Sequence, residues 1–100
     1  MFNSKFFDFG TLMVSDGVSK VIAENNRFTV EVCLCLKRYC VKDFGDISAE
    51  ERQKNNDEIQ RSEDICILAT YMTCKGKIYI ITRTEKIGQN ITTVCFGDER

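Results

Sequence analysis

Three β-rich segments in the last third of the chain constrain the fold more than any other feature of the sequence. They are rich in isoleucine, valine, threonine and tyrosine, which favour β-strands, and they span residues 65–72, 77–82 and 91–96. Lys75 and Gly76 give a tight hairpin signal between the first two segments, and a longer connection containing Gly88 spans residues 84–90. Strands joined so closely pair antiparallel, so the sequence predicts a three-stranded antiparallel meander.

The first half of the chain predicts a strand followed by two helices. Residues 6–14 are rich in aromatic and β-branched residues and end at a turn, which favours a strand. The next apolar residues have the i, i+3, i+4 spacing of a short helix: Val18, Val21 and Ile22. Residues 28–39 fit either a strand or a helix, but their length and the cations near their end favour a helix capped by Asn26.

A third helix is predicted after the clearest start signal in the chain. Ser48 and Glu51 have the spacing of a capping box, in which each side chain accepts the other residue's free backbone N–H. The helix predicted over residues 49–62 is almost entirely polar, with Ile59 as its only large apolar residue. Such a helix is expected to lie mostly in solvent.

These elements predict one α+β domain over residues 1–100: the C-terminal meander plus an N-terminal strand, packed against two or three helices. The strand at residues 91–96 is expected at the edge of the sheet, where it could pair across a two-fold axis, so a homodimer stays open. No stretch reaches the roughly 18 apolar residues of a membrane span, and no export signal is evident. We therefore expect a cytoplasmic protein that does not enter a membrane.

The composition argues against most enzymatic sites. Histidine is absent, which removes the commonest general base near neutral pH and the commonest zinc ligand. The only closely spaced thiols are Cys33, Cys35 and Cys40, and on a helix the first two point about 160° apart. Cys33, Cys35, Cys66, Cys74 and Cys95 lie within apolar runs, where a reduced cysteine behaves as a small buried hydrophobe. We therefore expect reduced structural cysteines, no catalytic residue, no metal site and no cofactor.

Charge is segregated along the chain although the net charge is only -1. An acidic face is predicted as the surface that binds a protein partner, and it consists of Asp43, Asp46, Glu50, Glu51, Asp57 and Glu58. A basic hairpin is the alternative surface, for nucleic acid, and it consists of Lys75, Lys77, Tyr79, Arg83 and Lys86. The acids could instead form a cation site or an ordinary solvated helix face, and the sequence leaves these interpretations open.

Several short motifs, in this order and spacing, resemble a family of small, mostly uncharacterised accessory proteins of plasmids, phages and other mobile elements. The motifs are Asp43-Phe44-Gly45-Asp46, Asn55, Leu68-Ala69-Thr70-Tyr71, the strand from Gly76 to Thr82, and Thr92-Thr93-Val94. That family typically has a G-D-W-G-D turn, a K-I-W-I-I-T-E strand and a T-T-I-L strand. Here Lys42 replaces the first glycine, Phe44 and Tyr79 replace tryptophans, and Arg83 replaces the acid.

The resemblance covers roughly residues 36–96 and implies an accessory protein of a mobile genetic element. Proteins of this size and setting often act as stoichiometric inhibitors of host defence, as anti-CRISPR proteins do on nuclease complexes. The resemblance therefore implies a protein partner of that class, with nucleic acid as the alternative. It supplies no catalytic residue.

Overall fold

Four strands form one mixed sheet in the computed structural model, which describes residues 2–61 and 63–100. The strands are β1 (Thr11–Val14), β2 (Cys66–Thr73), β3 (Gly76–Lys86) and β4 (Gln89–Phe96). Their order across the sheet is β1-β4-β3-β2, with β2, β3 and β4 antiparallel and β1 parallel to β4. The predicted α+β class and the C-terminal meander are confirmed.

The described residues form three α-helices, which all come before β2 in the chain: α1 (Asp16–Glu24), α2 (Asn26–Cys40) and α3 (Ala49–Arg61). The Ser48–Glu51 capping box is confirmed, because Glu51 N donates to Ser48 Oγ at 3.1 Å and Ser48 N donates to Glu51 Oε1 at 3.3 Å. Asn25 caps α2, since its Oδ1 accepts the Phe28 N–H at 2.9 Å; the expected cap at Asn26 is wrong by one residue. Ser62, predicted as the end of α3, lies outside the described residues.

The N-terminal strand is shorter than predicted. Only Thr11–Val14 pair with β4, while Phe7 and Phe9 turn their rings into the core. Gly10 has a φ of +69° and a Cβ there would lie 1.9 Å from the carbonyl oxygen of Asn90, so the chain bends at a position that only glycine can occupy. The aromatic residues before Gly10 therefore serve packing rather than strand pairing.

The connection between β3 and β4 is tighter than the sequence suggested. Lys86 pairs with Gln89, so the turn consists of Ile87 and Gly88 and the strands extend into the predicted seven-residue connection. Gly88 has a φ of +77°, which suits a two-residue hairpin turn.

The expectation that residues 91–96 form an edge strand is wrong. β1 pairs with one side of β4 and β3 with the other, so β4 lies inside the sheet and its backbone groups are not available to a second copy. A short parallel strand from the N-terminus occupies the place that a dimer partner was expected to take.

One face of the sheet carries the core. Side chains that alternate along β2, β3 and β4 point towards α1 and α2. The largest buried side chains of this core are Tyr71, Ile67, Ile78 and Ile80 from the sheet and Tyr39 and Phe28 from α2. The opposite face is open between α3, which lies beside β2, and β1 at the far edge. Within the described residues, no helix has the length and hydropathy needed to cross a membrane.

Candidate partner-binding surfaces

Helix α3 is attached to the sheet by one buried side chain. Asn55 Nδ2 donates to the carbonyl oxygen of Leu68 at 2.7 Å, and Leu68 N donates to Asn55 Oδ1 at 3.2 Å. Among the described residues of α3, only Asn55 is buried, at 3% exposure, while Ile59 packs partly against the core. Most of the rest of the helix faces solvent, as its polar sequence predicted, although the Glu58 side chain is only 13% exposed and the Asn56 Oδ1 atom is buried.

The acids of α3 lie along one side of the helix. Successive residues turn by about 100°, so Glu50, Glu51, Asp57 and Glu58 lie within one sector of roughly 120°. Glu50 and Asp57 point away from Asn55, whereas Glu51 and Glu58 adjoin it, and the Glu58 side chain is only 13% exposed. Lys54 and Arg61 lie in the same sector, so two positive charges are interleaved with four negative ones. The surface is therefore acidic with basic residues inside it, rather than uniformly acidic.

Several of these acids already have local partners. Glu51 is held in the capping box, Glu58 forms an ion pair with Arg61, and Asp57 accepts a hydrogen bond from Gln53 Nε2 at 2.9 Å. The carboxylates of Asp46 and Glu50 are exposed and make no hydrogen bond with the described residues. Asp46 and Glu50 thus present negative charge that no described residue engages, and Asp57 presents an exposed carboxylate that is held by Gln53.

The Asp43–Asp46 turn runs along the free edge of β2. Asp46 N donates to the carbonyl oxygen of Thr70 at 2.8 Å, and Thr70 N donates to the carbonyl oxygen of Phe44 at 3.2 Å. Gly45 has a φ of +71° and forms a parallel bridge with Thr70. The turn therefore supplies hydrogen-bond partners to the backbone of the edge strand β2. Asp43 and Asp46 thus belong to a segment that has a structural role.

Asp43 is paired with a residue of α2. Its carboxylate binds Arg38 of α2, with Nε 2.8 Å from Oδ2, and this hydrogen bond holds the pKa of Asp43 below its ordinary value. Lys42, which stands where the resembling family has glycine, adopts a φ of +66°. The left-handed backbone that glycine would favour is therefore kept by a lysine at this position.

The predicted basic hairpin divides into a central group and two ends. Lys77, Tyr79 and Arg83 alternate along β3 and point to the open face of the sheet. Lys75 lies in the β2–β3 turn and Lys86 at the far end of β3, roughly 35 Å away by strand rise. One compact ligand cannot contact both ends.

The ring of Tyr79 already has neighbours on this face. The guanidinium carbon of Arg100 lies 4.6 Å from the ring centroid, and a Cβ at Gly97 would lie 3.1 Å from the ring. These contacts limit the room for a stacked base. Sequence reasoning missed Arg100, because it meets Tyr79 only when β4 and the 3₁₀ turn after it fold back beside β3.

The cysteines are free, and the three buried ones lie in surroundings that disfavour the thiolate. All six cysteines lie in the described part of the chain and are free thiols. Burial raises the pKa of Cys35, Cys40 and Cys95, which disfavours the nucleophilic thiolate. In residues 2–61 and 63–100, no three cysteine, aspartate or glutamate side chains are grouped to hold a metal ion. The expectation that the cysteines in apolar runs are buried is wrong for Cys33, Cys66 and Cys74, which are exposed.

The chain matches no protein-family model, no curated protein and no solved structure in comparisons with each. A functional assignment therefore depends on the surfaces described above.

Proposed function

We propose that this chain is a non-enzymatic binding protein that docks the outer side of α3 on a basic surface of a protein partner. The observation that supports this is the way α3 is held. Asn55 fixes the helix to β2 by two hydrogen bonds, yet the helix adds little else to the core. Because α3 contributes so little to the core, we attribute its presence in the fold to the side chains that it presents to solvent.

A fixed acidic helix suits association with a cationic partner. Complementary charge increases the rate of encounter and selects the orientation of docking, while a preformed helix avoids the entropy cost of ordering a segment on binding. The capping box and the Asn55 contacts keep Glu50 and Asp57 in one geometry. The interleaved Lys54 and Arg61 would restrict the partner to one with matching acids among its basic residues.

The partner class follows from the resemblance. An accessory protein of a mobile element gains from blocking host defence, and a CRISPR-type nuclease complex offers the basic nucleic-acid channel that an acidic helix would fit. We propose that the chain acts in the cytoplasm as a stoichiometric inhibitor of such a complex. This role requires no catalytic residue.

The test compares two pairs of charge reversals. The double variant Glu50→Lys/Asp57→Lys changes α3, and Glu24→Lys/Asp98→Lys changes the same number of exposed acids elsewhere. Partners captured from a lysate of a CRISPR-bearing bacterium are identified by mass spectrometry, and the affinity of the main partner is measured with each purified variant. We expect the α3 variant to bind at least about tenfold more weakly and the control to bind as the parent does.

Equal binding by both variants would show that α3 is not the docking surface. Inhibition should also reach its limit at one chain per partner complex. Inhibition at far lower ratios would indicate turnover and contradict a stoichiometric mechanism.

The alternative is a DNA- or RNA-binding regulator that uses Lys77, Tyr79 and Arg83, which β3 aligns on one face. It predicts retention on single-stranded nucleic acid that weakens steeply with salt. The occupied ring of Tyr79 and the net charge of -1 favour the protein-binding proposal over this one.

A further inference from the structure

The open face of the sheet contains a groove with an apolar floor, and its walls carry three basic and three acidic side chains: Lys54, Arg83, Arg100, Glu51, Glu85 and Glu99. Two adjoining hollows, of about 210 and 150 Å³, share Ile81, Arg83 and Arg100. Ile81 is 9% exposed and Cys95 is 3% exposed, so both form a closed floor beneath the guanidinium groups. Lys54 of α3 lines the smaller hollow and adds a third cation.

Neither guanidinium group is held in an ion pair with a described residue, although acids line the same groove. Among the described residues, no carboxylate lies within 4.0 Å of Arg83 or Arg100. Two of the acids that line the groove are engaged elsewhere: Glu51 in the capping box, and Glu99 with Ser15 Oγ at 2.6 Å and Gly17 N at 2.9 Å. The hydrogen bond from Ser15 lowers the pKa of Glu99, which keeps that carboxylate ionised in its own site. Glu85 also lines the larger hollow, so the groove carries one acid that is not engaged in this way.

We infer that this groove binds an acidic segment of another protein, whose carboxylates pair with Arg83 and Arg100 while an apolar side chain rests on Ile81. Guanidinium groups bind carboxylates through two parallel hydrogen bonds, and partial burial strengthens such pairs. The two proposals concern different partners, because α3 presents Glu50 and Asp57 to a basic partner whereas the groove presents Arg83 and Arg100 to an acidic one. Glu51 and Lys54 lie where the two surfaces adjoin.

Other occupants fit the groove less well. A nucleic acid would need an accessible aromatic face for its bases, and Tyr79 is covered by Arg100 and Gly97. A second copy of the chain, packed face to face, would bring the arginines of both copies together, which like-charge repulsion disfavours. An acidic, partly apolar polypeptide satisfies both the cations and the floor.

The test is a titration of the ¹⁵N-labelled chain, followed by NMR, with a blocked peptide of alternating glutamate and leucine. The matched peptide alternates glutamine and leucine. We expect saturable shifts at the amides of Ile81, Thr93 and Cys95 and at the Nε–H of Arg83 and Arg100 with the acidic peptide only. Arg83→Glu should weaken binding by about tenfold, while Lys5→Glu, an exposed reversal outside the groove, should not.

Several results would overturn the inference. They are the absence of saturable shifts, shifts confined to another surface, equal binding of the glutamine peptide, or unchanged binding by Arg83→Glu. Tighter binding of single-stranded oligothymidine at the same residues would assign the groove to nucleic acid instead. If Arg83→Glu loses the dispersed spectrum of the fold, Arg83→Gln replaces it. The variant Glu50→Lys/Asp57→Lys should bind the acidic peptide as the parent does, so failure here and failure of the α3 proposal are distinguishable.

Discussion

The side-chain amide of Asn55 hydrogen-bonds both the carbonyl oxygen and the N–H of Leu68, and so behaves like one residue of an additional strand beside β2. Two residues further along the edge, Phe44 and Asp46 bond the backbone of Thr70 in the same manner. These two contacts close the edge of a strand that would otherwise be available for aggregation. The Asn55 hydrogen bonds also hold α3 in place, so one side chain both covers the edge at Leu68 and positions the acidic helix.

Replacing Asn55 with alanine should destabilise the protein by about 2–3 kcal/mol, since two backbone groups of Leu68 lose their partners. The control is Gln60→Ala, which removes an exposed amide from the same helix and should cost under about 0.5 kcal/mol. Urea unfolding monitored by circular dichroism measures both. Equal costs for the two variants would mean that the Asn55 contacts do not hold the helix.

Gly45→Ala should be among the most destabilising single changes in the chain. A Cβ at this position would lie 2.0 Å from the carbonyl oxygen of Thr70, so the turn must move away from β2. Gly88→Ala is the control, because its φ of +77° is similar but nothing lies within 4 Å. The control should cost about 1 kcal/mol from backbone strain alone, and Gly45→Ala clearly more, as thermal unfolding of both variants will show.

Tyr39→Phe should lower the free energy of unfolding by about 1–2 kcal/mol. The Tyr39 hydroxyl lies 2.6 Å from Thr82 Oγ1, which lies 2.6 Å from Thr92 Oγ1, and Thr92 donates to the carbonyl oxygen of Phe9. Removing the first hydroxyl disturbs a buried chain of hydrogen bonds in which every member has a partner. Tyr79→Phe is the matched variant on the open face and should be nearly neutral; a loss as large as that of Tyr39→Phe would contradict this account.

Alkaline pH should destabilise the folded chain. Burial raises the pKa of Tyr39 and of Tyr71 above the ordinary value of 10.0, so the folded state keeps both protons where the unfolded state releases them. The stabilisation from these groups is complete below the unfolded pKa near 10 and is lost as pH rises through the raised folded pKa values. Urea unfolding at a series of pH values from about 9 to 11 measures the decline, and Tyr39→Phe should make it shallower. A pH-independent free energy over this range would contradict the burial of these hydroxyls.

Local spacing was enough to identify most elements. The capping box of α3, the length and C-terminal cations of α2 and the β-rich segments of the meander are local features, and their physical causes act within one element. The acidic sector of α3 also follows from helical spacing alone. The amino-acid sequence by itself therefore determined these features.

Long-range contacts determined the rest. Nothing near residues 11–14 indicates that they pair with β4, and that pairing moved β4 from the edge of the sheet to its interior. The meeting of Arg83 with Arg100 and the contact of Asn55 with Leu68 likewise join residues 17 and 13 positions apart through the return of strands and helices. Such contacts depend on which surfaces become buried together when the whole chain packs, and no local pattern of residues encodes that choice.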